Sequence, residues 1–119
     1  MSNLAKAKEL YDMMAQGKMM DAFEKHYHQD CKIIEATGEV RQGKDAQRKA
    51  LEDWQNNFVK EMHDGGVDAI TADEQQNITM VESWTDLTNQ QGERLKMAEV
   101  AVQKWQDGQI IQERFYYNS

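Results

Sequence analysis

The sequence predicts an α+β fold, in which three N-terminal helices pack on one face of a strongly curved, mixed but mostly antiparallel sheet. In the first half of the chain most apolar residues recur at helical spacing. The second half consists of stretches rich in Val, Ile, Thr, Trp and Tyr that are separated by turn-forming clusters. Because the 119 residues include no proline and no linker, we expect one domain over residues 1–119.

The first two helices are indicated by amphipathic patterns. Gly17 is placed to end the first helix, whose apolar residues follow the i, i+3, i+4 spacing: Leu4, Ala7, Leu10, Tyr11 and Met14. A short second helix is predicted by Met20, Phe23 and Tyr27 on one face, with Asp21 in its first turn. This helix should end near Tyr27.

A short strand and a third helix come next. From Cys31 to Ala36 the side chains alternate, so Cys31, Ile33 and Glu35 share one face of a strand. Asp45 then lies near the start of a helix whose apolar stripe has helical spacing: Ala46, Ala50, Leu51, Trp54 and Phe58.

The second half of the chain predicts consecutive antiparallel strands. The turn-forming clusters that should separate them are Asp64-Gly65-Gly66, residues 73–76, residues 89–93 and Asp107-Gly108. The last cluster is the strongest hairpin signal, and it should join a strand over residues 99–105 to one over residues 110–117.

Composition and charge limit the classes of partner. The 14 Lys and Arg against 21 Asp and Glu give a net charge of −7, which disfavours nucleic acid and anionic membrane surfaces. A single cysteine, Cys31, allows no intramolecular disulfide, and no apolar run is long enough to span a membrane. We therefore expect a cytoplasmic protein.

Two short patterns suggest a metal or a nucleotide only weakly. His26, His28 and Asp30 alternate and could face one ion in an extended segment, but they diverge if His26 is still helical, which we favour. Residues 38–45 resemble a phosphate-binding loop, but Asp45 stands where a hydroxyl is required. We expect no metal and no cofactor.

The order of elements resembles the SnoaL-like and ketosteroid-isomerase-like cone fold, the superfamily that also contains nuclear transport factor proteins. The likeness covers nearly the whole chain and depends on five features: Leu10-Tyr11 through Gly17, Asp21 ahead of a helix, Asp30 followed by the strand to Glu35, Gly43 opening the third helix, and residues 105–117. It implies an interior pocket for a small, largely apolar organic molecule, and a homodimer formed through the outer face of the sheet. Val100 and Val102 would lie on that face.

Glu35 is the first candidate catalytic residue. The resemblance turns the face of Cys31, Ile33 and Glu35 towards the interior, at the position of the family's general base. Burial among hydrocarbon would raise the pKa of the Glu35 carboxyl and make it an effective proton acceptor. The alternative is a carboxylate that faces solvent or pairs with Lys or Arg.

Glu113 is the second candidate, and its direction depends on the Asp107-Gly108 turn. A three-residue loop with Gly108 in a bulge places Gln103, Trp105, Ile111, Glu113, Phe115 and Tyr117 on one face. A two-residue turn pairs Trp105 with Ile110 and leaves Glu113 opposite. We expect the bulged loop, which agrees with the family alignment; pairing of Glu113 with Lys104 across the strands remains open.

Other side chains could complete such a site. Tyr11 could donate a hydrogen bond to a carbonyl oxygen, and His63 could act at the edge of the pocket. Aromatic residues could form its wall or simply belong to the core: Trp54, Phe58, Trp84, Trp105, Phe115 and Tyr117.

Two functions follow from the resemblance. In the first, the protein is an enzyme of the isomerase, dehydratase or cyclase type that transfers a proton without a cofactor, with Glu35 as base and Glu113 or Tyr11 stabilising the developing charge. In the second, it is a noncatalytic ligand-binding or assembly domain. Steroid isomerisation itself is disfavoured, because the family's tyrosine donor falls on Leu10 and its second acid on Ala101.

Overall fold

Three helices lie at the start of the chain, as the sequence predicts. A computed structural model describes residues 1–118; α1 is Asn3–Ala15, α2 is Met19–His26 and α3 is Lys44–Asp53. The side chain of Ser2 caps α1 by accepting a hydrogen bond from the backbone N–H of Ala5, and Gly17 ends it with a φ of 78°. A single π-helical turn, Trp54–Phe58, continues α3.

Six strands form one mixed sheet, which confirms the predicted α+β class. The strands are β1 (Tyr27–Ile34), β2 (Val40–Gln42), β3 (Val59–Asp73), β4 (Ile78–Asn89), β5 (Arg94–Gln106) and β6 (Gln109–Tyr116). Their order is β2-β1-β6-β5-β4-β3, and the β1–β6 pair is parallel whereas the other neighbours are antiparallel.

The hydrophobic core lies between the helices and the face of the sheet that we call the inner face. Its buried members come from α1, α2 and strands β1, β5 and β6: Ala7, Leu10, Ala22, Phe23, Tyr27, Cys31, Ile33, Trp105 and Ile110. Burying one Leu, Ile or Phe side chain contributes about 1.5–3 kcal/mol. The opposite, outer face carries exposed apolar side chains, including Val40, Met80 and Tyr116.

One predicted turn is wrong. Asp64-Gly65-Gly66 does not end a strand, because β3 runs through it and pairs with β4 along its whole length. The glycines serve close packing: a Cβ at Gly66 would lie 2.8 Å from Nε1 of Trp84 on the neighbouring strand. Irregular pairing near residues 60, 63 and 68 bends this long strand.

The first strand begins earlier than expected. β1 starts at Tyr27, directly after α2, rather than at Cys31, and it ends at Ile34. The backbone of Tyr27 is extended, with ψ at 133°, so the helix changes to a strand without a connecting loop. This places the Tyr27 side chain on the inner face of the sheet, where it is 9% exposed.

The β5–β6 hairpin combines parts of both expected turns. Asp107 and Gly108 have φ values of 54° and 79° in a two-residue turn that pairs Trp105 with Ile110, so the three-residue loop is wrong. A register shift follows at once, because Lys104 pairs with Gln112 and Gln103 with Glu113. Glu113 therefore shares the inner face with Gln103. Ile110, rather than Ile111, is the buried isoleucine of that face.

No helix among residues 1–118 is both long and apolar enough to cross a lipid bilayer.

Candidate functional site

A fully buried carboxylate lies at the centre of the inner face. Glu113 is 1% exposed and Gln103, opposite it on β5, is 0% exposed. The side-chain amide of Gln103 donates to Oε2 of Glu113 at 2.8 Å, and the hydroxyl of Tyr27 donates to Oε1. Both oxygens of the carboxylate thus have uncharged donors from neighbouring strands.

Further hydrogen bonds extend this group into a network. Oε1 of Gln103 accepts from Oγ1 of Thr79 at 2.7 Å, and the Thr79 hydroxyl accepts from Nε1 of Trp105 at 2.8 Å. The Gln103 amide is also 3.4 Å from the hydroxyl of Tyr11 on α1. Each buried polar group is therefore satisfied within the protein, which fixes the position of Glu113.

Burial controls the protonation of this network. Loss of hydration raises the pKa of Glu113 to about 7, although the donors Tyr27 and Gln103 favour the charged form. Burial and the negative charge of Glu113 raise the pKa of the Tyr27 hydroxyl well above its usual value, and the same two causes raise that of Tyr11. The two tyrosines therefore stay protonated and act as donors.

Glu99 is a second carboxylate on the inner face. It lies on β5 two residues from Ala101 and opposite Ser83 of β4. Burial raises the pKa of Glu99 to about 7, and the nearby charges of Glu113 and Glu35 raise it in the same direction. Among residues 1–118, no side chain donates a hydrogen bond to its carboxylate.

Glu35 has different surroundings from those expected. Its carboxylate lies 2.5 Å from the guanidinium of Arg41 and 3.3 Å from the hydroxyl of Tyr117. Arg41 is itself held by Glu39 at 3.0 Å and by the side chain of Gln47 at 2.7 Å. The expected hydrocarbon environment is therefore wrong, because the β1–β2 pairing places Arg41 next to Ile33, on the same face as Glu35.

A groove of about 1010 Å³ opens beside these carboxylates. Its lining residues include Glu35, Glu99, Phe115 and Tyr117, near the end of β6. On the outer face its wall combines apolar and charged side chains: Lys32, Ile34, Val40, Glu82, Ala98, Val100, Arg114 and Tyr116. The cavity thus differs from the closed interior pocket that the resemblance implies.

The remaining candidate residues are dispersed. Only Phe115 and Tyr117 of the predicted aromatic wall border the groove, whereas Trp105 is 5% exposed in the core. Trp54 and Phe58 stack on each other with ring centroids 6.4 Å apart in the π-helical turn. They therefore lie on a separate element from the carboxylates.

Trp84 and His63 lie away from the carboxylate site. Trp84 alternates with the buried Ser83, so it points to the outer face, where the ammonium of Lys96 lies 4.5 Å from its ring centroid. His63 is exposed, with Nε2 2.6 Å from Oγ1 of Thr88. The position of Trp84 follows from the regular β4–β5 register, in which the even-numbered side chains of β4 lie on the outer face.

The histidines of α2 and β1 also separate. His26 is buried, and its Nε2 lies 3.0 Å from Glu9 of α1. Nδ1 of His28 instead accepts from the backbone N–H of Asp30. Within residues 1–118, no three His, Cys, Asp or Glu side chains are grouped so that they could hold a metal ion.

Sequence reasoning assigns no role to three residues of the site, Glu99, Tyr27 and Thr79, although it places Glu99 on the face of Ala101. Glu99 had a usable signal, because strand alternation places it on the face of Gln103 and Trp105. Tyr27 was interpreted as the end of a helix, and Thr79 becomes relevant only through its hydrogen bonds to Gln103 and Trp105 across β4 and β5.

Comparisons with known proteins give one family and several similar structures. The model of the SnoaL-like domain family matches residues 1–117. A structure from Mesorhizobium loti, described as a candidate SnoaL-like polyketide cyclase [carbohydrate phosphatase], is 31% identical with a TM-score of 0.85, covering 98% of this chain and 100% of that one. A search of curated protein sequences gives no match.

Two more distant structures share the fold. A candidate polyketide cyclase from Pseudomonas putida is 16% identical, with a TM-score of 0.83 over 99% of this chain and 92% of that one. An LEH-like epoxide hydrolase from M. tuberculosis is 16% identical, with a TM-score of 0.76 over 98% of this chain and 82% of that one. At this identity the likeness concerns the fold alone.

Proposed function

The chain belongs to the SnoaL-like domain family, and from this premise we propose that it binds a small, largely apolar organic molecule in the groove and transfers a proton on it without a cofactor. Glu99 accepts or donates that proton. The observation that carries the proposal is that Glu99, whose carboxyl has a pKa of about 7, is among the residues that line a groove of about 1010 Å³.

The surroundings of Glu99 suit general acid–base catalysis. With a pKa of about 7, both its charged and its neutral form are populated near neutral pH, which is the condition for efficient proton transfer. Glu113 lies on the same inner face, and its negative charge opposes ionisation of Glu99. Two neighbouring carboxyls of this kind can divide the roles of acid and base.

The chemistry would begin at a carbon next to a carbonyl group. The Glu99 carboxylate takes a proton from that carbon, the electron pair of the C–H bond moves to the carbonyl oxygen, and an enolate forms. Return of the proton to another atom completes an isomerisation, and loss of a leaving group completes a dehydration. The names of the similar structures, polyketide cyclase and epoxide hydrolase, guide the choice of compounds to test.

We assign the proton acceptor to Glu99 rather than to Glu35. The guanidinium of Arg41 lies 2.5 Å from Oε2 of Glu35 and occupies that oxygen. If Glu99 is also catalytically inactive, this ion pair favours the second candidate function, a noncatalytic binding domain. Glu35 would then anchor β2 to the end of β1.

The test compares binding with turnover. Carbonyl, epoxide and polyketide-like compounds are screened by thermal shift, and the compounds that bind are incubated with the protein and analysed for products by mass spectrometry. Glu99→Gln should lower turnover by about 10²–10⁴-fold while binding is retained. Glu52→Gln, at an exposed position on α3 away from the groove, is the matched control. Binding without turnover in the unmodified protein would instead indicate the binding domain.

We further propose that two copies associate through the outer face of the sheet. Met80 and Val102 are cross-strand neighbours there, and Met80 is 46% exposed. Val102 is also the cross-strand partner of Arg114, which lines the groove, so a contact centred on this pair would close the outer side of the groove. Sedimentation velocity at micromolar concentration should show a dimer that Val102→Lys dissociates; a monomeric unmodified protein would refute the proposal.

A further inference from the structure

We propose that a second copy of the chain completes the groove, and that Glu82 of each copy pairs with Arg114 of the other. The inference rests on the proposed function, because it concerns the same groove and gives the proposed dimer a specific contact. It adds an ion pair between the copies and a role for the dimer in ligand binding.

The outer face carries an apolar row between an acidic and a basic side chain. Val100 and Val102 lie on β5 and alternate with Ala101, which is 0% exposed on the inner face. Val100 is the cross-strand partner of Glu82 on β4, and Val102 is the partner of Arg114 on β6. Both charged side chains are exposed. Because β5 lies between them, their backbones are about 10 Å apart across the strands of one copy.

A two-fold axis brings these opposite charges together. When the axis lies between two facing sheets and follows β5, β4 of one copy lies over β6 of the other. Glu82 then faces the part of β6 that carries Arg114 and Tyr116, and the symmetry forms the same contact twice. Facing sheets are about 10 Å apart, a distance that a glutamate and an arginine side chain span together.

This arrangement of charge fits a second copy of the chain. An isologous interface must be complementary to itself, and an apolar row with opposite charges on its two sides meets that condition. Each copy has a net charge of −7, so two copies repel each other at long range. Opposite charges at the contact offset this repulsion locally and set the register of one copy on the other.

The residues of this contact also line the groove. Glu82, Val100, Arg114 and Tyr116 are all among its lining residues. In one copy Tyr116 is 53% exposed, so that side of the groove is open to water. Sites for small apolar molecules generally bury about 70–90% of the ligand surface. A second copy would supply the missing wall and place its own Glu82 next to Arg114.

The experiment exchanges the two charges between copies. Glu82→Lys and Arg114→Glu are purified separately and examined by sedimentation velocity at micromolar concentration. Each variant alone should dimerise about a hundredfold more weakly than the unmodified protein, because like charges meet at both symmetric contacts. An equimolar mixture should dimerise about as tightly as the unmodified protein, since opposite charges then meet at both contacts.

Glu52→Lys is the matched control, because it makes the same charge change at an exposed position on α3. It should dimerise normally, and fluorescently labelled Arg114→Glu should not join it in a mixed dimer. If these two proteins associate as tightly as the exchanged pair, the effect is one of net charge and the inference is overturned. Failure of the exchanged pair to associate would overturn it as well.

A neutral probe tests whether the second copy completes the groove. The fluorescent ketone prodan is titrated against each charge variant and against their mixture. It should bind the mixture about tenfold more tightly than either variant alone, because binding and dimerisation stabilise each other. Equal affinities would overturn the role of the dimer in ligand binding.

Two further outcomes separate this inference from the proposed function. Turnover by an unmodified protein that is monomeric would overturn the inference and support the proposed function. Absence of prodan binding in every sample, together with no hit in the wider compound screen, would overturn the proposed function and the completed groove. The sedimentation of the exchanged pair would still decide the ion pair between the copies.

Discussion

Glu113 and Glu35 lie on the same face of the sheet but in opposite environments. Glu113 is 1% exposed and is held by an uncharged tyrosine and an uncharged amide, whereas the Glu35 side chain is 20% exposed and faces a guanidinium. Burial raises the pKa of Glu113 and also that of Glu99, on which the negative charge of Glu113 acts in the same direction. The comparison shows that two carboxylates on one face of a sheet can differ completely in hydration and in hydrogen-bond partners.

The largest expected effect is the pH dependence of stability that Glu113 imposes. Its pKa is about 7 in the folded protein and near 4.5 in the unfolded chain, so the folded state holds the proton more tightly. The stabilisation is complete below about pH 4.5 and is lost as pH rises towards 7, by about 3 kcal/mol in all. Urea unfolding from pH 4 to pH 8 measures it.

Glu113→Gln should reduce this pH dependence, because the amide has no proton to lose, while the contribution of Glu99, whose pKa is also raised to about 7, remains. Glu52→Gln, an exposed carboxylate on α3, should leave the dependence unchanged. An unaltered slope in Glu113→Gln would show that the carboxyl does not titrate between pH 4.5 and 7.

Loss of the Gln103 amide, which donates to Glu113, should lower the free energy of unfolding by nearly as much. Gln103→Leu leaves Oε2 of Glu113 without a donor and the hydroxyl of Thr79 without an acceptor, so the free energy of unfolding should fall by about 2 kcal/mol. Gln106→Leu, at an exposed position on the same strand, should change it by less than about 0.5 kcal/mol. Equal effects of the two variants would argue against the network.

Removing the other donor should have a smaller effect. Tyr27→Phe keeps the ring in the core but deletes the hydroxyl that donates to Glu113, which should cost about 1–2 kcal/mol. Tyr116→Phe is the matched change at a residue that is 53% exposed. Thermal unfolding at pH 7 compares the stabilities of the two variants. If Tyr27→Phe does not change the stability, Glu113 is protonated and needs no second donor.

The smallest expected effect concerns Glu35. A double-mutant cycle with Glu35→Gln and Arg41→Gln should give a coupling of at most about 1 kcal/mol, because both side chains are partly exposed and solvent screens the pair. Chemical denaturation of the four proteins at low and high salt measures this coupling. A coupling several times larger would mean that solvent is excluded from the Glu35–Arg41 pair as fully as from the buried hydrogen-bond network of Glu113.

Much of the fold could be predicted from local patterns. The apolar spacing of Leu4 to Met14, the alternation after Cys31 and the Asp107-Gly108 turn each correspond to an element in the structure. The error at Asp64-Gly65-Gly66 has a nonlocal cause, because the glycines accommodate Trp84 of the neighbouring strand instead of forming a turn.

The candidate site could be predicted only in part. Alternation places Gln103 and Glu113 on one face once the register is known, and the structure joins them through a hydrogen bond of 2.8 Å. The pairing of Glu35 with Arg41 depends on β2 folding back against β1. No spacing in the sequence indicates that this guanidinium will meet Glu35, since Glu39 is closer along the chain and also contacts Arg41.

The sequence by itself determined the class of fold, the helices and the faces of the strands, because these depend on the periodicity of neighbouring residues. Only the tertiary structure decided the environments of the three carboxylates and the position of the groove. The hydration of these carboxylates and the contact between Glu35 and Arg41 result from strands brought together across the sheet. The pKa of a side chain depends on that three-dimensional environment, and the environment is set by residues distant along the chain.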